Sequence, residues 1–153
     1  EILRCLVGSE MCIRDRIVGE CRGAEALDVL QAMNTGHDGS LSTGHANSCK
    51  DMLSRLETMV LMGMELPLPA IRSQIASGID FLIHLGRMRD KSRKVLSITE
   101  IAGYEENQII LNDIYRFKEE KAEENTVHGA MEKVGELIHT EKMIRAGYCL
   151  DGL

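Results

Sequence analysis

The sequence predicts an α/β fold in which a strand–helix–strand–helix segment is followed by an antiparallel meander. Three observations carry that prediction. Apolar residues recur at helical spacing over residues 24–34 and again from 48 to 63. Short runs rich in Ile and Val, separated by polar, turn-like clusters, occupy residues 81–117. The order of these segments, alternating first and strand-only afterwards, is that of a sheet with a crossover helix and an antiparallel extension.

Composition narrows the function classes. A chain of 153 residues, 44% hydrophobic, is long enough for a single core. Its 18 basic and 24 acidic residues leave a net charge of -6, without the clustered Lys and Arg of a nucleic-acid footprint. Aromatics are 3% of the chain and Trp is absent, so no stacking platform for single strands is expected. No apolar run has the length of a membrane helix and no signal-peptide pattern is present, so a cytosolic location is expected. The cysteines, at 5, 12, 21, 49 and 149, form no CxxC pair and indicate neither a zinc ribbon nor a disulfide scaffold.

The elements follow in order. The chain begins at Glu1 rather than Met, which reads as a fragment. Residues 5–15, CLVGSEMCIRD, resemble one reading frame of a transposase adapter used in sequencing-library preparation, with Arg16 as the junction. The ordinary alternative is a strand and turn; residues 1–16 are set aside as a non-native leader. Ile17, Val18, Gly19 and Glu20 read as the end of a buried strand. Residues 24–34 suit a helix with Leu27, Leu30 and Met33 on one face and Gly36 placed to end it. Asp38 and Gly39 make a turn, and residues 40–45 a second strand. Asn47 or Ser48 caps the next helix, with Asp51 at the capping-box position and Met52, Leu56, Met59, Val60 and Gly63 at helical spacing. Pro67 and Pro69 break that pattern, and Pro69 suits the first turn of a short helix carrying Ile71 and Ile75. Residues 81–85, 94–101 and 108–117 read as the meander, turning at 89–92 and 105–107. Residues 118–124 form a charged linker, and 127–147 a helical tail with Met131, Val134 and Ile138 along it.

An acid at the end of a buried strand suits nucleotide hydrolysis, where it holds Mg²⁺ or orients and deprotonates the attacking water. Glu20 has that position, but many strands end in an acid. The following unit adds geometry. A right-handed strand–helix–strand crossover makes the two strands parallel. Glu20 and His45 each close their strand, so both fall at the carboxyl edge, where open α/β sheets bind ligands. His37 lies in the helix-to-strand turn at the opposite edge, roughly 20 Å away for a strand of about six residues. Glu20 and His45 can share a site; His37 is not expected to join them within one subunit.

Longer motifs make the pattern specific. Residues 16–26, RIVGECRGAEA, resemble the Walker B segment of CpaF-type secretion ATPases, within the type II/IV secretion ATPase superfamily. Residues 32–48, AMNTGHDGSLSTGHANS, resemble their histidine box. Ser54-Arg55-Leu56-Glu57, residues 71–80 (IRSQIASGID) and Ile98-Thr99-Glu100-Ile101 continue the likeness, which covers residues 16 to about 117 and, more loosely, the tail. The resemblance implies residues 17–117 as part of a RecA-like P-loop ATPase core and 118–153 as linker and helical tail. It implies Glu20 as the catalytic glutamate, His45 as the sensor of the γ-phosphate, and Arg22 as support for the site or subunit interface, with His37 as a further candidate. It also implies ATP and Mg²⁺, a homohexamer with nucleotide at subunit boundaries, and an inner-membrane platform protein as partner. The motor would stand at the cytoplasmic face of that membrane, powering assembly of type IV-like (Flp/Tad) pili.

Each residue also has a structural reading: His45 as a satisfied histidine beside a helix cap, Arg22 as an exposed ion-pair partner, His37 as a turn residue. The sequence contains no GxxxxGK[ST] loop, whose amides cradle phosphates and whose hydroxyl binds Mg²⁺. The polypeptide as written is therefore expected neither to bind ATP tightly nor to hydrolyse it. The alternatives are the ATPase of a conjugation or protein-secretion system, or a catalytically silent interaction fragment. A zinc module built on Cys21, His37, His45 and Cys49 is the reading from another class, but the spacing matches no zinc pattern.

Overall fold

The computed structural model describes residues 16–35, 39–120, 126–145 and 147–148. The adapter-like run, the Asp38–Gly39 turn and His37 lie wholly or partly outside the described residues. The chain divides into two compact units, residues 1–79 and 80–153. Among the described residues, no helix is long and apolar enough to cross a membrane.

The first unit contains β1 (Arg16–Val18), α1 (Ala26–Met33), β2 (Ser40–Ser42), α2 (Cys49–Gly63) and α3 (Leu68–Gly78). The three helices supply its core. Leu27 and Leu30 of α1, Leu53, Leu56, Met59 and Val60 of α2, and Ile71 and Ile75 of α3 are all buried. Helix α2 begins as its sequence dictates: the Ser48 hydroxyl accepts from the Asp51 N–H at 3.1 Å, satisfying an amide that the helix leaves without a partner. Helix α3 carries Pro69 in its first turn, where the missing N–H costs nothing. Helix α1 ends at Asn34, whose side-chain amide donates to the Gln74 carbonyl at 3.0 Å and accepts from the Ser77 hydroxyl at 2.8 Å. The close of α1 is thereby tied to α3. Gly63 is required where α2 passes Ala24, because a Cβ there would stand 2.9 Å from the Ala24 carbonyl oxygen.

Strands β1 and β2 pair in parallel, with Arg16 opposite Ser40, Ile17 opposite Leu41 and Val18 opposite Ser42. The expectation of a buried first strand is corrected here. Ile17 is 78% exposed and its register partner Leu41 65% exposed, so one face of this two-stranded pair is bare. A parallel strand is buried on both faces only where elements cover both. The second strand also leaves the ladder earlier than expected, at Ser42 instead of His45.

The second unit is a four-stranded antiparallel meander in chain order, β3 (Phe81–Arg87), β4 (Arg93–Glu105), β5 (Gln108–Glu119) and β6 (Gly129–Lys133), followed by α4 (Glu141–Arg145). Strands β4 and β5 join through Glu106 and Asn107, with φ of 47° and 64°. Two successive positive φ values are what a type I′ hairpin turn needs. The Tyr104 hydroxyl donates to the Asn107 side chain at 2.9 Å and holds the turn. At the other turn, the Asp90 carboxylate accepts from the Ser92 hydroxyl at 2.6 Å and from the amides of Ser92 and Val127, both at 2.9 Å. These bonds, that of the Ser92 side chain foremost, lower its pKa to about 2.

The helical tail expected over 127–147 is corrected. Gly129–Lys133 pairs antiparallel with β5, Tyr115 opposite Lys133 and Glu119 opposite Gly129, and the only helix among the described tail residues is the five-residue α4. The reason is local and non-local together. Gly129 is a poor helix former, and its bare Cα lets the strand approach β5, where a Cβ would stand 2.4 Å from the Lys118 carbonyl oxygen. The far edge of β5 offers unpaired main-chain groups that a strand satisfies and a helix does not.

Candidate functional site

The two strand ends of the first unit are stitched together beyond their short ladder. The Cys21 N–H donates to the Thr43 carbonyl at 3.0 Å, and the Thr43 hydroxyl donates to the Gly19 carbonyl. These bonds bring the segments after β1 and β2 side by side, with Glu20 on one and His45 on the other. His45 Nε2 lies 3.2 Å from Glu20 Oε1, and the Arg22 guanidinium lies 2.5 Å from Glu20 Oε2. The carboxylate is thus gripped at both oxygens. His37 lies outside the described residues, so the structure brings together three of the four candidates: Glu20, Arg22 and His45.

Exposure distinguishes their roles. The side chain of His45 is 81% exposed and that of Arg22 73%, whereas that of Glu20 is 22% exposed. His45 is therefore not a core histidine; its ring stands in solvent, tethered to Glu20. The pKa of Glu20 is lowered, first by the Arg22 hydrogen bond, against a smaller opposing effect of desolvation, with the charges of Arg22, His45 and Arg55 adding to the lowering. Glu20 is accordingly ionised at neutral pH, with His45 Nε2 facing it at 3.2 Å. Arg22 is itself placed by Glu25, whose carboxylate accepts from the main-chain amides of Arg22 at 2.8 Å and Gly23 at 3.0 Å.

An open depression of about 550 Å³ adjoins this cluster, and Arg22, His45, Asn47, Asp51 and Arg55 are among the residues lining it. Arg55 was part of a motif in the sequence but not singled out as a site residue. The signal was there: it follows Asp51 by one helical turn, on the face that α2 turns to the strand ends. Among the described residues no group of three or more His, Cys, Asp or Glu side chains is placed to hold a metal ion. Cys21 is buried and Cys49 half-buried, and neither is in a disulfide.

An ionised carboxylate, an exposed imidazole and two guanidinium groups beside an open cleft suit an anionic ligand and a water to be activated. Residues 14–146 match the sequence pattern described as "Type II/IV secretion system protein". The chain belongs to this family. A Mycobacterium tuberculosis member carrying the name "Putative conjugal transfer protein" is 41% identical over 98 residues, 63% of this chain and 28% of that protein. The conjugal transfer protein TrbB of Rhizobium radiobacter is 36% identical over 104 residues, 67% of this chain and 31% of that one. Among solved structures, the VirB11 ATPase from the Brucella suis type IV secretion system, in complex with sulphate, superposes with a TM-score of 0.55 at 29% identity, over 65% of this chain and 30% of that chain. The α/β fold with its antiparallel sheet is therefore shared with that neighbour. The chain spans roughly three tenths of the length of these relatives.

Proposed function

We propose that this chain is the water-activating part of an ATP-hydrolysing motor of the type II/IV secretion family, of the CpaF type, that powers assembly of Flp/Tad pili. The single observation that carries the reading is the contact of Glu20 with His45 at the ends of adjacent parallel strands. That is the edge at which α/β sheets hold ligands.

ATP bound with Mg²⁺ would supply the γ-phosphate that water attacks, the bond to the β-phosphate oxygen breaking as ADP leaves. Glu20, fixed by Arg22, would accept a hydrogen bond from that water and take up its proton. His45 faces Glu20 and stands exposed beside the cleft, where it responds to a phosphate oxygen and relays its presence to the strand end. Arg22 positions the carboxylate. The described residues offer no cluster for a bare divalent ion, so Mg²⁺ would be held mainly by phosphate oxygens and by ligands from the P-loop motif, which these 153 residues lack. The chain by itself is accordingly silent, and the active protein is a homohexamer at the cytoplasmic face of the inner membrane, working on a platform protein there.

The names of the relatives favour a second reading, in which the same motor serves conjugal transfer. Mg²⁺-dependent ATP hydrolysis by the longer protein that carries this segment, lost in Glu20→Gln, is the expected result; hydrolysis that survives Glu20→Gln rejects the assignment. Turnover by the 153-residue chain alone would show that it is not silent. Deleting the gene and scoring surface pili against DNA transfer separates the two machines.

A further inference from the structure

The cations around the depression are not equivalent. Arg22 contacts one oxygen of Glu20 and His45 the other, whereas Arg55 acts on that carboxylate only through its charge, as the smallest contribution. Arg55 lines the same depression, is exposed, and makes no hydrogen bond or ion pair among the described residues. Its guanidinium carries five donors in a planar fork suited to oxyanions, and none of them is used in a hydrogen bond among the described residues. It rises from the second turn of α2.

We propose that Arg55 is a ligand-contacting residue of this site, the cation whose hydrogen-bond donors are open to a phosphate oxygen. Asp51, one turn earlier on the same face and also lining the depression, keeps the overall potential low. The contact is therefore a directional one of modest affinity and not a general anion trap. The proposal deepens the hydrolase reading and depends on it for the nature of the ligand.

Inorganic phosphate is the probe. In the 153-residue chain at millimolar phosphate, the Arg55 side-chain N–H resonance shifts and saturates. Arg55→Ala weakens the accompanying shift at His45 by on the order of tenfold or more, as expected for losing a charge-assisted hydrogen bond. Arg55→Lys, which keeps the charge but not the fork, recovers only part of it. Unchanged amide spectra away from α2 establish that the variants are folded. In the longer protein, Arg55→Ala lowers kcat/KM for ATP by a similar factor. Absence of a saturable phosphate shift in the unaltered chain, or its persistence at His45 in Arg55→Ala, overturns the proposal. If the longer protein lacks ATP hydrolysis while the Arg55 shift persists, the motor assignment falls and the phosphate contact stands. If hydrolysis is Glu20-dependent but indifferent to Arg55, the contact falls and the assignment stands.

Discussion

The carboxylate of Glu100, 1% exposed, accepts a hydrogen bond from the main-chain N–H of His139 at 2.7 Å. The Ile138 amide at 2.9 Å, the Asn112 side chain at 3.1 Å and the His139 ring at 3.0 Å complete its surroundings. Burial pushes its pKa up, but these donors together outweigh that and hold it below the usual range. Glu100 thus fastens β4 to the segment preceding α4. Glu100→Gln replaces a charged acceptor with a neutral one and is expected to destabilise the second unit by roughly 1–3 kcal/mol. The measurement is urea unfolding together with hydrogen exchange. Unaltered protection of the Ile138 and His139 amides would show that the fastening carries no load.

Acid titration follows from the same kind of bond. Asp90 and Glu100 both have folded-state pKa values depressed below the unfolded ones, so the unfolded chain binds more protons as pH falls. Their stabilising contributions are full above roughly pH 4, the ordinary carboxyl range, and disappear as pH drops through the folded values, about 2 for Asp90. The thermal midpoint is expected to fall below about pH 4, less steeply in Asp90→Asn. Superimposable profiles for the two proteins would rule out the Asp90 contribution.

At the site, the Arg22 hydrogen bond is the leading cause of the lowered Glu20 pKa, and the His45 charge a smaller one. Arg22→Ala should therefore move the Glu20 carboxyl titration upward toward its ordinary position, and His45→Ala should move it upward by less. Carbon-detected NMR titration reads both shifts. Equal shifts, or a larger one in His45→Ala, would mean that Arg22 does not hold the carboxylate.

Ile71 and Ile75 are fully buried in the helical core of the first unit. Truncating Ile71 to Ala should cost about 2–5 kcal/mol, and Ser48→Ala, which removes the α2 cap, about 1 kcal/mol. Exchange protection in α1, α2 and α3 is the measurement. A loss confined to α3 in Ile71→Ala would indicate that the three helices do not share one cooperative core.

Local signals were legible in the residues. The Ser48 cap, Pro69 in a first turn and the Glu106–Asn107 hairpin each depend on chemistry within a few positions. The placement of Glu20 beside His45 followed from one topological rule, the parallel sense of a crossover. What escaped was non-local. Met131, Val134 and Ile138 fit a helical stripe, and nothing nearby announces that Gly129–Lys133 completes a sheet with residues 115–119. Glu100 reads as an ordinary polar strand residue because its donors at 138 and 139 lie far along the chain. Ile17 reads as buried because an apolar strand residue ordinarily is, whereas its exposure depends on what covers the sheet face. Arg55 was hidden among matched motif residues, its place at the edge of the depression visible only in three dimensions.

Strands β1 and β2 share three register pairs, and the Thr43 bonds to Gly19 and Cys21 extend that alignment to the residues just before and after Glu20. A slip of one residue would carry the chain about 3.3 Å along and take His45 out of reach of Glu20. The same few main-chain bonds that align the two strands therefore also set the distance between the acid and the imidazole.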